Sequence, residues 1–222
     1  MDEIILKLKR RRDKYMNKKI ILSKTIILLS LVSLFSCTSS KQEFNLKPIT
    51  CTNLNPVYIT NSKKVYLLHP VYASYVVDTL QLLNGNYDSS NFSLLIYTQM
   101  DTKGINLSLM NEFGTDMGNL FFNGEKIFFE SAYFPKELPG EYIICDIQNA
   151  FYDVEALRDN YANSKLRFNS IYFFYETYTP GQPDEIRSIY DGDTLIEEIE
   201  ISYKTIKIKN YLRNYSYVLC SE

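Results

Sequence analysis

Apolar and polar residues alternate in short runs along much of this chain, and the alternation predicts strands. Phe92, Leu94, Ile96 and Met100 are interleaved with Ser93 and Gln99, and Ile105, Leu107 and Leu109 with Asn106 and Ser108. A period of two puts each apolar set on one face of a sheet. Asp101-Thr102-Lys103-Gly104 makes a short turn between these runs. Asn123-Gly124 is a two-residue hairpin signal between residues 118–122 and 126–130, because such a turn needs left-handed conformations that Asn and Gly tolerate. From Asp78 onward the chain reads as an antiparallel meander.

The period then changes. Leu138-Pro139-Gly140-Glu141 puts a proline and an acidic residue where a helix would begin, and Ile143, Ile144, Ile147, Ala150 and Phe151 recur at helical spacing. A second short helix is predicted over 154–161. Strands resume at 166–178, followed by a Pro180-Gly181-Gln182-Pro183 turn, and at 185–190 and 195–203 around Asp191-Gly192-Asp193. Two more follow at 205–209 and 215–219. The expected class is mainly β with a small helical insert, an α+β chain. Residues 38–64, rich in Thr, Ser, Asn and Lys with Pro48 and Pro56, lack sustained periodicity and read as a tether.

The N-terminus follows a different logic. Lys and Arg cluster before an apolar run over 26–35, and the small residue Ser36 precedes Cys37. Charged, apolar and small-residue regions in that order are the parts of a secretory signal. With cysteine next, Leu34-Phe35-Ser36-Cys37 resembles the lipobox of a bacterial lipoprotein, which implies cleavage between Ser36 and Cys37 and acylation of Cys37. The competing reading is a retained membrane anchor over 20–35. A spanning helix needs about 20 apolar residues, and Ser23, Lys24, Thr25, Ser30 and Ser33 interrupt this shorter run. Met16 is a more usual signal start than Met1. The expected organisation is a signal peptide over 1–36, a lipidated N-terminus and tether over 37–64, and a folded domain over 65–222.

Charge narrows the partners. Of the 24 basic and 26 acidic residues, nine and three lie in 1–36, which leaves 15 basic against 23 acidic in the remainder. That balance offers no basic patch for phosphates and argues against nucleic acid. The lone histidine, His69, precedes Pro70 and reads as structural. No metal-ligand spacing, nucleophile elbow or phosphate loop occurs, so no catalytic residue, metal or cofactor is assigned. Asp191 and Asp193 read as turn chemistry, and Glu198 and Glu200, alternating with Ile199 and Ile201, as a solvent face. Cys51, Cys145 and Cys220 remain once Cys37 is acylated. An oxidising periplasm permits one disulfide, and Cys51 with Cys220 is the pair to name, Cys145 lying on an apolar helix face. The 19 Tyr and 13 Phe supply a core, or line an apolar cavity inside a curved sheet.

The stretch Leu138-Pro139-Gly140-Glu141-Tyr142-Ile143-Ile144-Cys145-Asp146-Ile147-Gln148-Asn149-Ala150-Phe151 resembles the signature helix of an envelope lipoprotein family related to LolB, common in aryl-polyene gene clusters. Phe113-Gly114 and Leu120-Phe121-Phe122-Asn123-Gly124 before it are also similar, over about residues 78–160. The resemblance implies a LolA/LolB-like fold, an incomplete antiparallel barrel closed on one side by helices around an apolar cavity. It carries over Leu138, Pro139, Asp146, Gln148 and Phe151 as residues that set the helix against the sheet. Where that family has a Trp-Pro step, this chain has Tyr152-Asp153. The expected cavity residues are Phe92, Leu94, Ile96, Met100, Ile105, Leu107, Leu109, Ile143, Ile147, Phe151, Tyr172 and Phe174. The expected function is non-enzymatic: a lipid-anchored periplasmic protein that binds a lipid or other hydrophobic envelope component and passes it to or from the outer membrane. The alternative is an assembly lipoprotein with a filled core that binds another envelope protein. Thr38, rather than Asp, after Cys37 favours the outer membrane by analogy with lipoprotein sorting. Cells fed labelled palmitate are expected to label this protein, and Cys37→Ala is expected to lose the label entirely.

Overall fold

Asp101, Asn123 and Asp191 each begin a turn that folds a strand back on its predecessor. The Asp101 carboxylate accepts from the backbone N–H groups of Lys103 (2.7 Å) and Gly104 (3.2 Å), and Asn123 Oδ1 accepts from those of Glu125 and Lys126. Gly124 and Gly192 take the left-handed conformation, at φ +90° and +59°, that side chains disfavour. The computed structural model describes residues 47–87, 90–132, 134, 139–173 and 182–221.

The strands are β1 (Val57–Tyr58), β2 (Lys64–Val65), β3 (Val77–Tyr87), β4 (Ser90–Asp101), β5 (Gly104–Met110), β6 (Asp116–Phe122), β7 (Ile127–Ser131), β8 (Arg167–Tyr172), β9 (Glu185–Asp191), β10 (Thr194–Ile201), β11 (Thr205–Asn210) and β12 (Tyr215–Ser221). Between β7 and β8 lie α1 (Gly140–Phe151) and α2 (Val154–Asn163). β1 and β2 form a small hairpin, and the other strands form one sheet in the order β7-β6-β5-β4-β3-β12-β11-β10-β9-β8, antiparallel at every step. β7 and β8 are edges, so the sheet does not close into a barrel. Mainly β, antiparallel, incomplete and covered by helices: the fold class is the one expected.

The sheet is curled around α1. Gly140, at the start of α1, lies against Ile127, Phe129 and Leu120 of β6 and β7, and Asn149, near its end, bonds Glu197 of β10. Those strands are about 34 Å apart along a flat sheet, whereas a twelve-residue helix spans about 18 Å. Only a curved sheet lets one short helix touch both. Cross-strand register then sorts the inner face into rows: Val77, Met100, Ile105, Phe122 and Ile127 form one, and Thr79, Thr98, Leu107, Leu120 and Phe129 the next.

The tether expectation needs correction. Cys51, Val57, Ile59, Val65, Leu67 and Leu68 are buried in the same core as the sheet, so the folded body includes most of 48–64. Cys51 N–H donates to Leu67 O at 2.8 Å and His69 N–H to Ile49 O at 3.0 Å. Isolated apolar residues in a polar stretch show no period, yet each of these is buried in the shared core. The cysteines are also corrected: Cys51, Cys145 and Cys220 are free thiols. Cys51 is tied to Leu67 in the 47–68 segment, while Cys220 pairs with Thr205 and Leu82 within the sheet. Burial pushes the Cys51 thiol up to about 11.

A Cβ at Gly140 would fall 2.9 Å from Ile127 Cγ2 and 3.1 Å from Phe129 Cβ, both close to the backbone and unable to swing away. Overpacking there outweighs the better helix propensity of alanine. Gly140→Ala is expected to destabilise the fold by about 1–2 kcal/mol, read from urea unfolding.

Candidate functional site

α1 has two chemically different faces. Ile143, Ile144, Ile147 and Phe151 follow Gly140 by three, four, seven and eleven residues, the spacing of one helix face. They join Leu107, Leu109, Leu120 and Phe122 in the core. No α1 side chain among the described residues hydrogen-bonds to β4, β5, β6 or β7; dispersion and water exclusion hold that side together. The face toward β9–β12 is polar. Asp146 accepts from the Tyr215 hydroxyl (3.0 and 2.8 Å to its two oxygens) and the Tyr217 hydroxyl (3.1 Å). Asn149 Nδ2 donates to Glu197 Oε1 at 3.0 Å, Asn210 Nδ2 to Glu197 Oε2 at 2.9 Å, and Tyr161 Oη to Asn149 Oδ1 at 2.9 Å.

Arg187 closes the end of α1. Its Nη1 donates to the carbonyls of Asn149 (3.0 Å) and Tyr152 (2.9 Å), which the helix leaves without intrahelical partners. Glu185 neutralises it at 2.7 Å and also accepts from the Ser170 hydroxyl. On a third side, Gln148 donates to Leu68 O (2.8 Å) and accepts from Leu68 N–H (2.9 Å). One side chain thus acts as a short strand partner for the 47–68 segment.

Burial sets the electrostatics. Desolvation first, and the charge of Glu197 second, hold the Asp146 carboxyl well above the usual carboxylate range. Desolvation also raises Glu197, opposed by the amides of Asn210 and Asn149. The Tyr161, Tyr215 and Tyr217 hydroxyls and the Cys145 thiol are pushed up, each chiefly by burial. The Cys145 sulfur lies 3.7 Å from Tyr161 Oη. At the N-terminal end of α1, two adjoining clefts of about 580 and 360 Å³ share Thr60, Asn61 and Leu212. Arg213 borders the larger cleft, with its guanidinium 4.6 Å from the Tyr142 ring centroid.

The structure distributes the sequence-derived cavity set unevenly. Leu94, Ile96, Met100, Ile105, Leu107, Leu109, Ile147 and Phe151 are buried, and Phe92 and Ile143 are half-buried against them. Tyr172 departs from the set. It pairs with inward-facing Glu185 yet is 54% exposed, at the end of an edge strand that has a neighbour on one side only among the described residues. Phe174 and Leu138 lie outside the described residues, as do Ser36 and Cys37. Pro139 is the residue before α1, and Asp146 and Gln148 are both buried and partnered. Tyr152 is fully buried, and Asp153 caps α2 by accepting from Ala156 N–H at 2.9 Å. His69 Nδ1 accepts from Val71 N–H at 3.3 Å and starts a helical turn at Pro70. Asp191 pairs with Lys63, and Glu200 with Lys207.

Glu197, Arg187, Asn149, Asn210, Tyr215 and Tyr217 were not singled out by the sequence reading. A signal for Glu197 was present: it shares the parity of Ile199 and Ile201, as Asn210 shares that of Ile206 and Ile208, and Arg187 that of Ile189. Among the described residues no group of three or more His, Cys, Asp or Glu is placed to hold a metal ion. No helix among them is long and apolar enough to cross a membrane.

The chain belongs to the family described as protein of unknown function (DUF3261), whose model matches residues 78–219, from β3 into β12. No curated protein matches it. Among solved structures it is similar to a crystal structure described as an outer membrane lipoprotein-sorting protein domain from Vibrio parahaemolyticus, at 11% identity over 65% of this chain and 82% of that one, with a TM-score of 0.27.

Gln148→Ala would leave both backbone groups of Leu68 buried without partners. It is expected to destabilise the fold by about 2–4 kcal/mol, read from urea unfolding.

Proposed function

We propose that this protein is a lipid-anchored envelope protein, held by Cys37 and facing the periplasm from the outer membrane, that binds a lipid or other hydrophobic component. The observation that carries the reading is the asymmetry of α1. Hydrogen bonds fix it to β9–β12 and the 47–68 segment, whereas among the described residues none of its side chains hydrogen-bonds to β4–β7. Separating two apolar surfaces breaks no directional bond, and an acyl chain inserted there restores most of the contact. Separating α1 from β10–β12 would expose carboxylates and amides with no replacement partner. A hydrophobic ligand therefore enters on the β4–β7 side, against Leu94, Ile96, Leu107 and Leu109, with Ile143 and Ile147 above it. The role is binding and hand-over, and no bond is made or broken.

The tight packing of those same residues favours a second reading, a structural or assembly lipoprotein with a filled core. One experiment separates the two. Protein purified with Cys37 replaced by Ser is extracted with organic solvent for mass spectrometry and titrated with an apolar fluorescent probe. Lipid is expected in the extract. Ile147→Trp, which puts a larger side chain between α1 and β4–β6, is expected to weaken probe binding about tenfold, a change of about 1.4 kcal/mol. An empty extract together with no probe binding leaves the assembly reading standing.

A further inference from the structure

We propose that Asp146 and Glu197 form a proton-binding site in which Asp146 holds the proton and Glu197 the charge, and that the proton is what lets α1 lie against β10–β12. The inference does not depend on what the apolar side binds. Both carboxyls are buried, at 8% and 3% exposure. Among the described residues no Lys or Arg nitrogen lies within ion-pair distance of either one. Two unpaired charges in one closed space are strongly unfavourable, and a group so placed neutralises instead. Carboxyls whose charges act on one another share their titration, so the question is which carboxyl carries the proton.

Hydrogen-bond polarity answers it. Asn210 Oδ1 accepts from Arg213 N–H at 2.8 Å, and Asn149 Oδ1 from the Tyr161 hydroxyl. Both amides therefore turn their N–H groups toward Glu197. A proton on Glu197 would meet only donors, so Glu197 stays ionised. Asp146 faces the hydroxyls of Tyr215 and Tyr217, and a hydroxyl turns to accept as readily as to donate. The acid proton of Asp146 goes to one phenol oxygen while the other phenol still donates to the free carboxyl oxygen. The accepting phenol turns its own hydrogen away from the carboxyl, and the cluster then holds one negative charge rather than two. The remaining titratable or charged groups that face it are Arg213, on the turn before β12, whose charge favours ionisation, and Cys145 of α1 and Tyr161 of α2. The cysteine and tyrosine stay neutral, their ionisation pushed upward by burial.

The folded chain keeps a proton that the unfolded chain releases just above the ordinary aspartate range. The stability this site contributes is therefore fully present below the ordinary aspartate range, declines from there as pH climbs to the raised folded value, and levels beyond it. Infrared spectra of the full folded protein at neutral pH are expected to contain a protonated carboxylic acid carbonyl band. Asp146→Asn removes that band and also flattens the decline of the urea midpoint with rising pH. Tyr217→Phe is expected to shift the band by deleting one of its partners, which reads the same site if Asp146→Asn does not fold. Glu197→Gln places an amide N–H against an asparagine N–H and is expected to lower the urea midpoint across the whole range. Absence of the band in the unmodified protein at neutral pH overturns the proposal, and so does its persistence in Asp146→Asn.

Discussion

Polar side chains of a helix inside a curled sheet have no water to turn to, and that requirement positions α1. Asp146, Gln148 and Asn149 each point in a different direction, and each meets a partner from a different part of the chain: the tyrosines of β12, the backbone at Leu68, and Glu197 of β10. Three contacts in three directions fix a rigid body. Arg187 adds a fourth at the helix end. The apolar residues between them supply most of the burial, yet they would tolerate a slide or a rotation that the polar contacts forbid. The sheet's curvature and the docking of 47–68 both follow from where this helix is held.

Dividing one helix between a bonded wall and an unbonded wall has mechanical meaning. Opening happens where the fewest directional interactions must break, which is the side of β4–β7. The inner face of β3 and β4 also contains Gln81 and Thr98, buried and bonded to one another, with Gln81 reaching Ser221 on β12. That short polar chain lies where the two halves of the sheet meet. An apolar ligand on the β4–β7 side would thus be bounded by polar groups along the β3–β12 seam, which gives the compartment a wall without a second helix.

Strands were legible because alternation with Gly, Asn and Asp turns leaves few alternative registers, and β4 through β7 form with their turns where the pattern places them. α1 was legible for the same reason, from a change of period. Residues 48–68 were not, since a buried residue in an irregular segment carries no periodic signature; only packing identifies Val57 or Leu67 as core. Asp146 and Gln148 were picked out through a family likeness, and the sequence held no record of what they touch. Glu197 was overlooked although its parity groups it with Ile199 and Ile201, because a carboxylate inside a strand reads as solvent-facing unless its partners are known. Tyr172 shows the opposite failure, a correct face at a position where the sheet ends. The disulfide expectation failed because odd cysteines are paired by elimination in a sequence and by proximity in a fold.

β10 contains one more residue than its neighbour needs: its pairing with β9 shifts between Leu195 and Glu197. Ile196 and Glu197 consequently both face inward, although they are adjacent. A strand is read two residues at a time, and this bulge is a frameshift in that reading. Upstream of it the inner frame ends in isoleucine; downstream it opens with an acid. Deleting a single residue between Thr194 and Ile196 would keep the hairpin and most of the hydrophobic content of β10, but either a buried isoleucine or the acid would lose its place inside. The ionisable interior of this protein therefore depends on chain length at one point as much as on the identity of any side chain.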